Sequence, residues 1–271
     1  MMASRFIEDC ADAFQSSQAK PEHRHAKAGP WAKQPHGHSS AVDIRQMVQR
    51  AAQSRPRLRK NVNGRDITFI VEKTSGGCVH ACTVEDVVLI LSQVPLADWA
   101  GLETFVFRQS TRKTRILRPA WGRMFYHAAL GIRGTPIVIS GPTIFLEATD
   151  VGQTMEWPTA LDPEDSAELN RLRLDGHHVS RVGSKHVVAS SSVSVRATQL
   201  YRTLLHEIGH WADWLEKVEI PSDQGEDYSK LADLYSSRPK SELEAFAHRY
   251  ADNLRKTLEK KGVIPFSRIE G

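Results

Sequence analysis

One stretch, His206-Glu207-Ile208-Gly209-His210, constrains this 271-residue chain more than any other feature. Apolar residues recur around it at helical spacing from about Arg196 to Leu215, which predicts an amphipathic helix. Residues four apart lie on one helix face, so both imidazoles can reach one metal ion. Glu207 can lean toward the same ion without binding it. Two neutral nitrogen ligands beside a carboxylate base are what metal-assisted hydrolysis needs.

The same stretch also fits a simpler interpretation, a core helix with two hydrogen-bonded histidines. Gly209 is informative here, because glycine in a helix interior costs about 1 kcal/mol relative to alanine. A glycine at this place indicates the close approach of another backbone or of a substrate. Pro221 is expected to end the helix.

A catalytic zinc ion usually takes three protein ligands, so a third ligand must be found elsewhere. The metzincin pattern fails, because Asp213 and Glu216 stand where that class has glycine and a histidine or aspartate. A second amphipathic helix is predicted over residues 241–251. Glu244 lies at the border of its apolar stripe, and Glu242 lies at the opposite border as the alternative.

Two acidic residues near the motif have competing interpretations. Ser241 and Glu244 match a capping box, in which the glutamate only closes a helix start. If the helix begins earlier, near Ser237 with Pro239 in its first turn, Glu244 is free to bind a metal. Asp213 either orients an imidazole or a helix end as a hydrogen-bond acceptor, or is a solvated helix residue.

These residues resemble those of gluzincins, and the pattern is similar to that of lethal-factor-type zinc endopeptidases. That family's motif reads H-E-x-G-H-x-x-D and is followed by E-x-E-x-F-A. Residues 206–213 and 242–247 of this chain show both. The resemblance covers only this C-terminal part. It implies zinc, with His206, His210 and Glu244 as metal ligands and Glu207 as general base.

The resemblance further implies a tyrosine, shortly before the third ligand, that stabilises the oxyanion. Tyr235, nine residues upstream of Glu244, is the candidate for this catalytic role. Its spacing is similar to that of the family but does not match it. Tyr228 and His248 are the alternatives.

Composition is ordinary for a soluble globular protein, with 40% hydrophobic and 25% charged residues. No apolar run approaches the ~20 residues of a membrane span, so no membrane partner is expected. The first nine residues are too polar and acidic for a secretory signal. Cys10, Cys78 and Cys82 show no disulfide framework, which favours a reducing, cytoplasmic location. A secreted effector that acts inside another cell is the alternative.

Charge divides the chain into two predicted domains. Residues 1–60 hold 11 basic and 5 acidic residues, whereas residues 61–271 hold 25 and 27. We expect residues 1–60 to be a flexible, largely disordered basic arm with a short amphipathic helix at 41–53. Such an arm can contact nucleic acid through counterion release, although its densest cluster, residues 55–60, lacks interleaved aromatic residues.

The remaining patterns predict a zincin-like α+β domain over residues 61–271. A small sheet would pack on the motif helix, followed by the helix that carries the third ligand. Helices are predicted from Thr83 to Gln93 and from Asp162 to Leu174. Strands are predicted at 67–71, 103–108 and 182–188, with a hairpin of 136–140 and 143–148 around Gly141-Pro142. The hairpin, or a strand near 186–193, would be the sheet edge that pairs with an extended substrate.

Together these patterns predict a zinc-dependent endopeptidase that acts on a protein or peptide substrate. The alternative is a non-catalytic module, regulatory or associated with DNA, in which zinc holds the helices together and the basic arm provides binding.

Overall fold

The computed structural model describes residues 57–117, 120–131 and 138–271. Strands lie within residues 57–189 and helices dominate from residue 192, so the predicted α+β class is confirmed. The strands are β1 (Arg57–Val62), β2 (Arg65–Val71), β3 (Cys78–Val79), β4 (Thr104–Arg108), β5 (Gly122–Gly131), β6 (Val138–Glu147), β7 (Thr149–Asp150), β8 (Met155–Pro158), β9 (His178–Val182) and β10 (Lys185–Ala189).

Helices surround the sheets and form the C-terminal part of the chain. They are α1 (Val84–Gln93), a 3-10 turn (Leu96–Trp99), α2 (Arg112–Leu117), α3 (Pro163–Leu174), α4 (Ser192–Thr198), α5 (Leu204–Trp214), α6 (Ile220–Asp223), α7 (Tyr228–Ser236) and α8 (Lys240–Lys260). No helix within the described residues combines the length and the apolar character needed to cross a bilayer.

The main sheet has five strands in the order β1-β2-β4-β6-β5. The inner strands β2, β4 and β6 are parallel, and β1 and β5 join them in antiparallel fashion at the two edges. The first four residues of β4 are buried, as expected for a central strand covered on both faces. One face of the sheet contributes Phe69 and Phe105, whose rings lie 5.5 Å apart, to the largest core cluster.

The predicted hairpin at residues 136–148 is wrong, because β6 runs as one strand through Gly141 and Pro142. Two features let a strand contain this pair. Pairing of β6 with β4 begins only at Thr143, and the partner β5 has a bulge opposite Pro142. The missing proline N–H therefore removes no ladder hydrogen bond, and Gly141 adopts a φ of 139° that suits glycine.

Both predicted candidates for the substrate-binding sheet edge are also wrong. β6 lies between β4 and β5, and β10 lies between β8 and β9 in a separate three-stranded sheet. The edge next to the motif is β5, which no sequence pattern predicted. Helix α5 packs against β5 and β6, so the predicted packing of a small sheet on the motif-bearing helix is present.

Strand β1 begins at Arg57, within the stretch that the prediction placed outside the domain over residues 61–271. Residues 57–60 were assigned to the basic arm, yet they belong to β1 and pair in register with β2. A turn follows, with Asn63 and Gly64 both at positive φ between the strands. Residues 1–56, with the predicted helix at 41–53, lie outside the described residues.

Local capping signals set two helices where they were predicted. Thr83 caps α1 in a capping box with Asp86, and the helix ends at Gln93. Asp162 caps α3 with Pro163 in its first turn. Cys78 and Cys82 are buried free cysteines near a turn, whereas Cys10 lies outside the described residues.

The His-Glu-x-x-His sequence lies in α5, within one continuous helical segment, residues 192–223, which we call the motif helix. It runs through α4, a π-helical turn at Gln199–Thr203, α5, a second π-helical turn at Leu215–Glu219, and α6. It is longer than the predicted 196–215. It continues two residues past Pro221 and ends at Asp223. π-helical turns inside α-helices occur frequently at functional sites.

Candidate metal centre

His206 and His210 lie one helical turn apart on α5, and both point to the same side. Their Nε2 atoms are 3.0 Å apart and their ring planes are nearly perpendicular, at 88°. The opposite side of α5 anchors the helix, because Leu204, Leu205 and Ile208 are buried in the main core. Packing of the apolar side therefore fixes the direction in which the two imidazoles project.

Glu244, on α8, completes the group. Its two carboxylate oxygens lie 3.3 Å from His206 Nε2 and 3.7 Å from His210 Nε2. Glu242 does not join them, because its carboxylate is exposed and pairs with Arg238. The capping-box interpretation of Glu244 also fails, since α8 begins at Lys240 with Pro239 as its N-cap.

Close packing of α5 on α8 brings the glutamate to the histidines. A Cβ atom added at Gly209 would lie 3.0 Å from Tyr250 Cδ1 and 3.2 Å from both Cα and the carbonyl oxygen of Ala247. A side chain at residue 209 would thus press on the backbone of α8. The glycine in the middle of the motif is explained by this helix approach, one of the two reasons that the sequence suggested.

The donor set fits a zinc ion. A tetrahedral ion with ligand bonds of 2.0–2.1 Å holds its ligand atoms about 3.3 Å apart. The two Nε2 atoms lie 3.0 Å apart, and His206 Nε2 and His210 Nε2 lie 3.3 and 3.7 Å from different oxygens of the Glu244 carboxylate. Within the described residues, this is the group whose ligand atoms, all within 4.8 Å of one another, are suited to hold a metal.

Protonation differs between the two histidines. Burial lowers the pKa of His206 to about 3, so this imidazole is neutral and can act as a ligand at neutral pH. Burial also acts to lower the pKa of His210, but the hydrogen bond with Glu244 and the charge of Glu207 raise it overall. A metal ion competes with a proton for this imidazole, which makes metal affinity dependent on pH.

Glu207 lies beside these ligands but is held by the sheet. Its Oε2 accepts a 2.7 Å hydrogen bond from the backbone N–H of Met124 on β5. Only 6% of the residue is exposed, and this burial raises the pKa of the carboxyl group to about 7. The arrangement keeps a carboxylate next to the candidate metal ligands without making it one of them.

No known protein family, curated protein or solved structure matches this chain. The chemistry of the centre therefore follows from its own donor atoms and surroundings.

Tyr235 lies behind the centre and is only 3% exposed. Its hydroxyl donates to Asp213 Oδ2 at 3.1 Å and lies 3.2 Å from the hydroxyl of Tyr126. Arg238 donates to the same Asp213 oxygen at 2.7 Å. Asp213 is therefore buried in a hydrogen-bonded group, and its interpretation as a solvated residue is wrong. Within the described residues its hydrogen bonds go to Tyr235 and Arg238 and not to an imidazole. The catalytic role of Tyr235 stays a prediction.

A cleft of about 550 Å³ opens beside the centre. Its walls are α3, the motif helix, α8 and the start of β5, and His206, Glu207 and Glu244 lie on its lining. His248, one of the two alternatives to Tyr235, also lines the cleft, and its ring centroid is 4.5 Å from that of His206. The other alternative, Tyr228, is exposed on α7 and does not line the cleft.

Three contacts between the motif helix and the region of β5 were not predicted. Met124 acts through its backbone, so no side-chain pattern could reveal it. Gln199 lies in the motif helix, and its side-chain amide donates to the carbonyl oxygens of Trp121 and Glu147, at 3.1 and 2.7 Å. Tyr126 lies on the unpredicted strand β5, where its ring stacks on Trp214 at 4.4 Å. A buried glutamine before a metal motif is the one signal that the sequence offered.

Proposed function

We propose that this protein is a zinc-dependent endopeptidase with a zincin-like domain, which hydrolyses peptide bonds in a protein substrate. The observation that carries the proposal is the convergence of His206, His210 and Glu244 within metal-ligand range, with Glu207 held separately beside them. The resemblance of the motif to gluzincins is consistent with this geometry.

Zn²⁺ held by His206, His210 and Glu244 would supply Lewis acidity, which polarises a substrate carbonyl and acidifies a water molecule. Structural zinc sites are usually closed by four protein ligands, whereas catalytic sites keep one position open. The group within the described residues has three members, which favours catalysis over a purely structural role.

Glu207 acts as the general base and then as the general acid. It takes a proton from the attacking water and delivers it to the leaving nitrogen of the peptide. The Met124 N–H fixes Oε2, and Oε1 makes no hydrogen bond to a described residue, so Oε1 is the oxygen that transfers the proton. The rigid sheet thus holds the carboxylate in one position throughout the reaction.

The edge strand β5 is suited to bind the substrate backbone. It ends the main sheet next to the motif helix, and an extended peptide can add to such an edge through main-chain hydrogen bonds. Because Met124 on this strand holds Glu207, a peptide aligned on β5 would be placed against the base.

The test replaces Glu207 with glutamine. Zinc-loaded Glu207→Gln should keep one zinc ion per chain, measured by elemental analysis, while cleavage of a peptide library falls at least about 100-fold. Glu216→Gln, which changes an exposed acid on the same helix, should leave both zinc content and cleavage unchanged. A wild-type chain that binds zinc but cleaves no library peptide would instead support the non-catalytic module. Removal of residues 1–56 then tests whether salt-dependent nucleic-acid binding is lost.

A further inference from the structure

Helix α3 makes one wall of the cleft beside the metal centre. Some of the charged side chains at this wall pair with opposite charges, whereas one carboxylate does not. Glu168 accepts from Arg171 at 2.8 Å and from Arg202 at 2.8 Å. Arg202 also donates to Asp175 at 2.8 Å. Arg171 and Arg202, the two arginines on the cleft lining, are therefore neutralised by carboxylates and leave little free positive charge for a ligand.

Asp165 differs from its neighbours on the same wall. The residue lines the cleft and is only 6% exposed. Its carboxylate makes no hydrogen bond or ion pair with any residue in the described ranges 57–117, 120–131 and 138–271. The backbone N–H of Asp165 donates to the side chain of Asp162, the N-cap of α3, but the Asp165 side chain accepts no hydrogen bond from the Asp162 backbone.

The charged groups that shift the pKa of Asp165 are of its own sign. Burial raises the pKa of Asp165, and the negative charges of Asp162 and Glu164 add to the effect. A carboxylate that is little exposed and has no cationic partner is stabilised when a cation pairs with it. Such a group on the wall of an open cleft is complementary to a positively charged ligand.

We propose that this cleft is a specificity pocket for a lysine or arginine side chain of the peptide substrate, recognised by Asp165. The inference rests on the proposed endopeptidase function and names its substrate class. Since His206 and Glu207 line the same cleft, the basic side chain belongs to a residue close to the scissile bond. A cleft of about 550 Å³ has room for a long side chain.

Two exposed charges on the cleft rim have smaller effects. Lys240, on the opposite wall, and Glu164, next to Asp165, both line the cleft and are exposed to solvent. Exposed charges are screened over about 8–10 Å at physiological salt, whereas a buried charge is screened much less. Asp165 therefore contributes most to the preference of the pocket for a positively charged side chain.

Asp165 also lies in the first turn of α3, where an acidic residue favours the helix dipole. That role affects stability but does not distinguish one substrate from another. The ratio of kcat/KM between a lysine peptide and an otherwise identical glutamine peptide separates the two roles, because a general loss of stability cancels in the ratio.

The experiment uses the full-length, zinc-loaded chain and peptide pairs with lysine or glutamine at each position around the cleavage site. At one fixed position the wild type should prefer lysine at least about tenfold. Asp165→Asn should reduce this preference to about twofold or less. Glu164→Gln removes one negative charge at the adjacent residue and should retain the preference for lysine. Melting temperature and zinc content verify that both variants are folded and loaded.

A binding measurement on the Glu207→Gln chain makes the inference independent of turnover. By calorimetry, the lysine peptide should bind about tenfold more tightly than the glutamine peptide, and Asp165→Asn should abolish the difference. Cleavage without any preference for a basic residue would overturn the pocket and leave the endopeptidase intact. Selective binding that depends on Asp165, together with no cleavage by the wild-type chain, would support the pocket and overturn the endopeptidase. Equal binding of both peptides would overturn the pocket.

Discussion

The backbone N–H of Met124 donates a 2.7 Å hydrogen bond to the carboxylate of Glu207, which joins the edge strand β5 directly to the candidate base. A second connection lies two helical turns earlier. There the Gln199 side chain donates to the carbonyl oxygens of Trp121, just before β5, and of Glu147, at the end of β6. The two connections hold strand and motif helix in one alignment.

Gln199 should therefore be needed to keep β5 aligned. Gln199→Leu has similar volume but removes one donor from each of two carbonyl oxygens, and we expect a loss of about 1–2 kcal/mol in the free energy of unfolding. The Trp121 oxygen keeps the Glu147 N–H at 3.0 Å, and the Glu147 oxygen keeps the Thr149 hydroxyl at 3.4 Å. Urea unfolding measures this loss, and hydrogen exchange at the Met124 amide should accelerate because the strand opens more easily. Gln153→Leu, on an exposed loop, is the control. Unchanged exchange at Met124 would show that Gln199 does not align the strand.

Gly209 should be required for the third ligand to reach the histidines. Gly209→Ala would favour an isolated helix by about 1 kcal/mol, but the added methyl group meets the Ala247 backbone. We expect α8 to move away, so that Glu244 binds metal less well and zinc affinity falls at least about tenfold. Competition with a fluorescent chelator measures the affinity. A variant that is more stable and binds zinc normally would show that the two helices tolerate the added methyl group.

Local signals explain what the sequence predicted correctly. The period of apolar residues placed His206 and His210 on one helix face, and caps at Thr83 and Asp162 started two further helices where expected. Glu244, at one border of the second helix's apolar stripe, was predicted as the third ligand with Glu242 as the alternative, and the structure places Glu244 at the histidines.

Pairing between distant segments explains the errors. Strand β5 was missed, because its alternation is broken by the bulge between Phe125 and Ala128. Gly141-Pro142 resembles a hairpin turn, and only the partner strands reveal that the pair lies inside β6. The contact between Met124 and Glu207 joins residues 83 positions apart through a backbone group. No local pattern encodes such a contact.

Tyr235 and Tyr126 form a matched pair for testing the oxyanion prediction. Their hydroxyls lie 3.2 Å apart, and only Tyr235 donates to Asp213. If Tyr235 stabilises the oxyanion, Tyr235→Phe should lower kcat about 100-fold with little change in KM. Tyr126→Phe should change kcat less than about threefold if that role belongs to Tyr235 alone. A loss of stability near 1 kcal/mol without a fall in kcat would assign Tyr235 to support of Asp213.

His177 should make the fold sensitive to acid. The ring is buried between Ser190 and Thr198, at 3.0 and 2.9 Å, and burial lowers its pKa to about 4. In the unfolded chain this imidazole has a pKa near 6.5. The stability that the neutral ring contributes is therefore complete above pH 6.5 and is lost as the pH falls toward 4. The slope reaches about 1.4 kcal/mol per pH unit.

His177→Gln removes this titration and keeps a polar side chain in the same place. The stability difference between wild type and variant, measured by urea unfolding, should therefore shrink or reverse between pH 6.5 and 4. His178→Gln, at the exposed neighbour, should follow the wild type throughout. A difference that stays constant with pH would exclude a buried neutral imidazole at residue 177.

The most direct measurement of the central claim is zinc affinity in wild type, Glu244→Gln and Glu242→Gln, determined by chelator competition. The two glutamates lie two residues apart on one helix, but only Glu244 faces the histidines. We predict one zinc ion in the wild type, a loss of affinity of at least about 100-fold in Glu244→Gln, and wild-type affinity in Glu242→Gln. Full zinc affinity in Glu244→Gln, or an equal loss in both variants, would contradict a centre built from His206, His210 and Glu244.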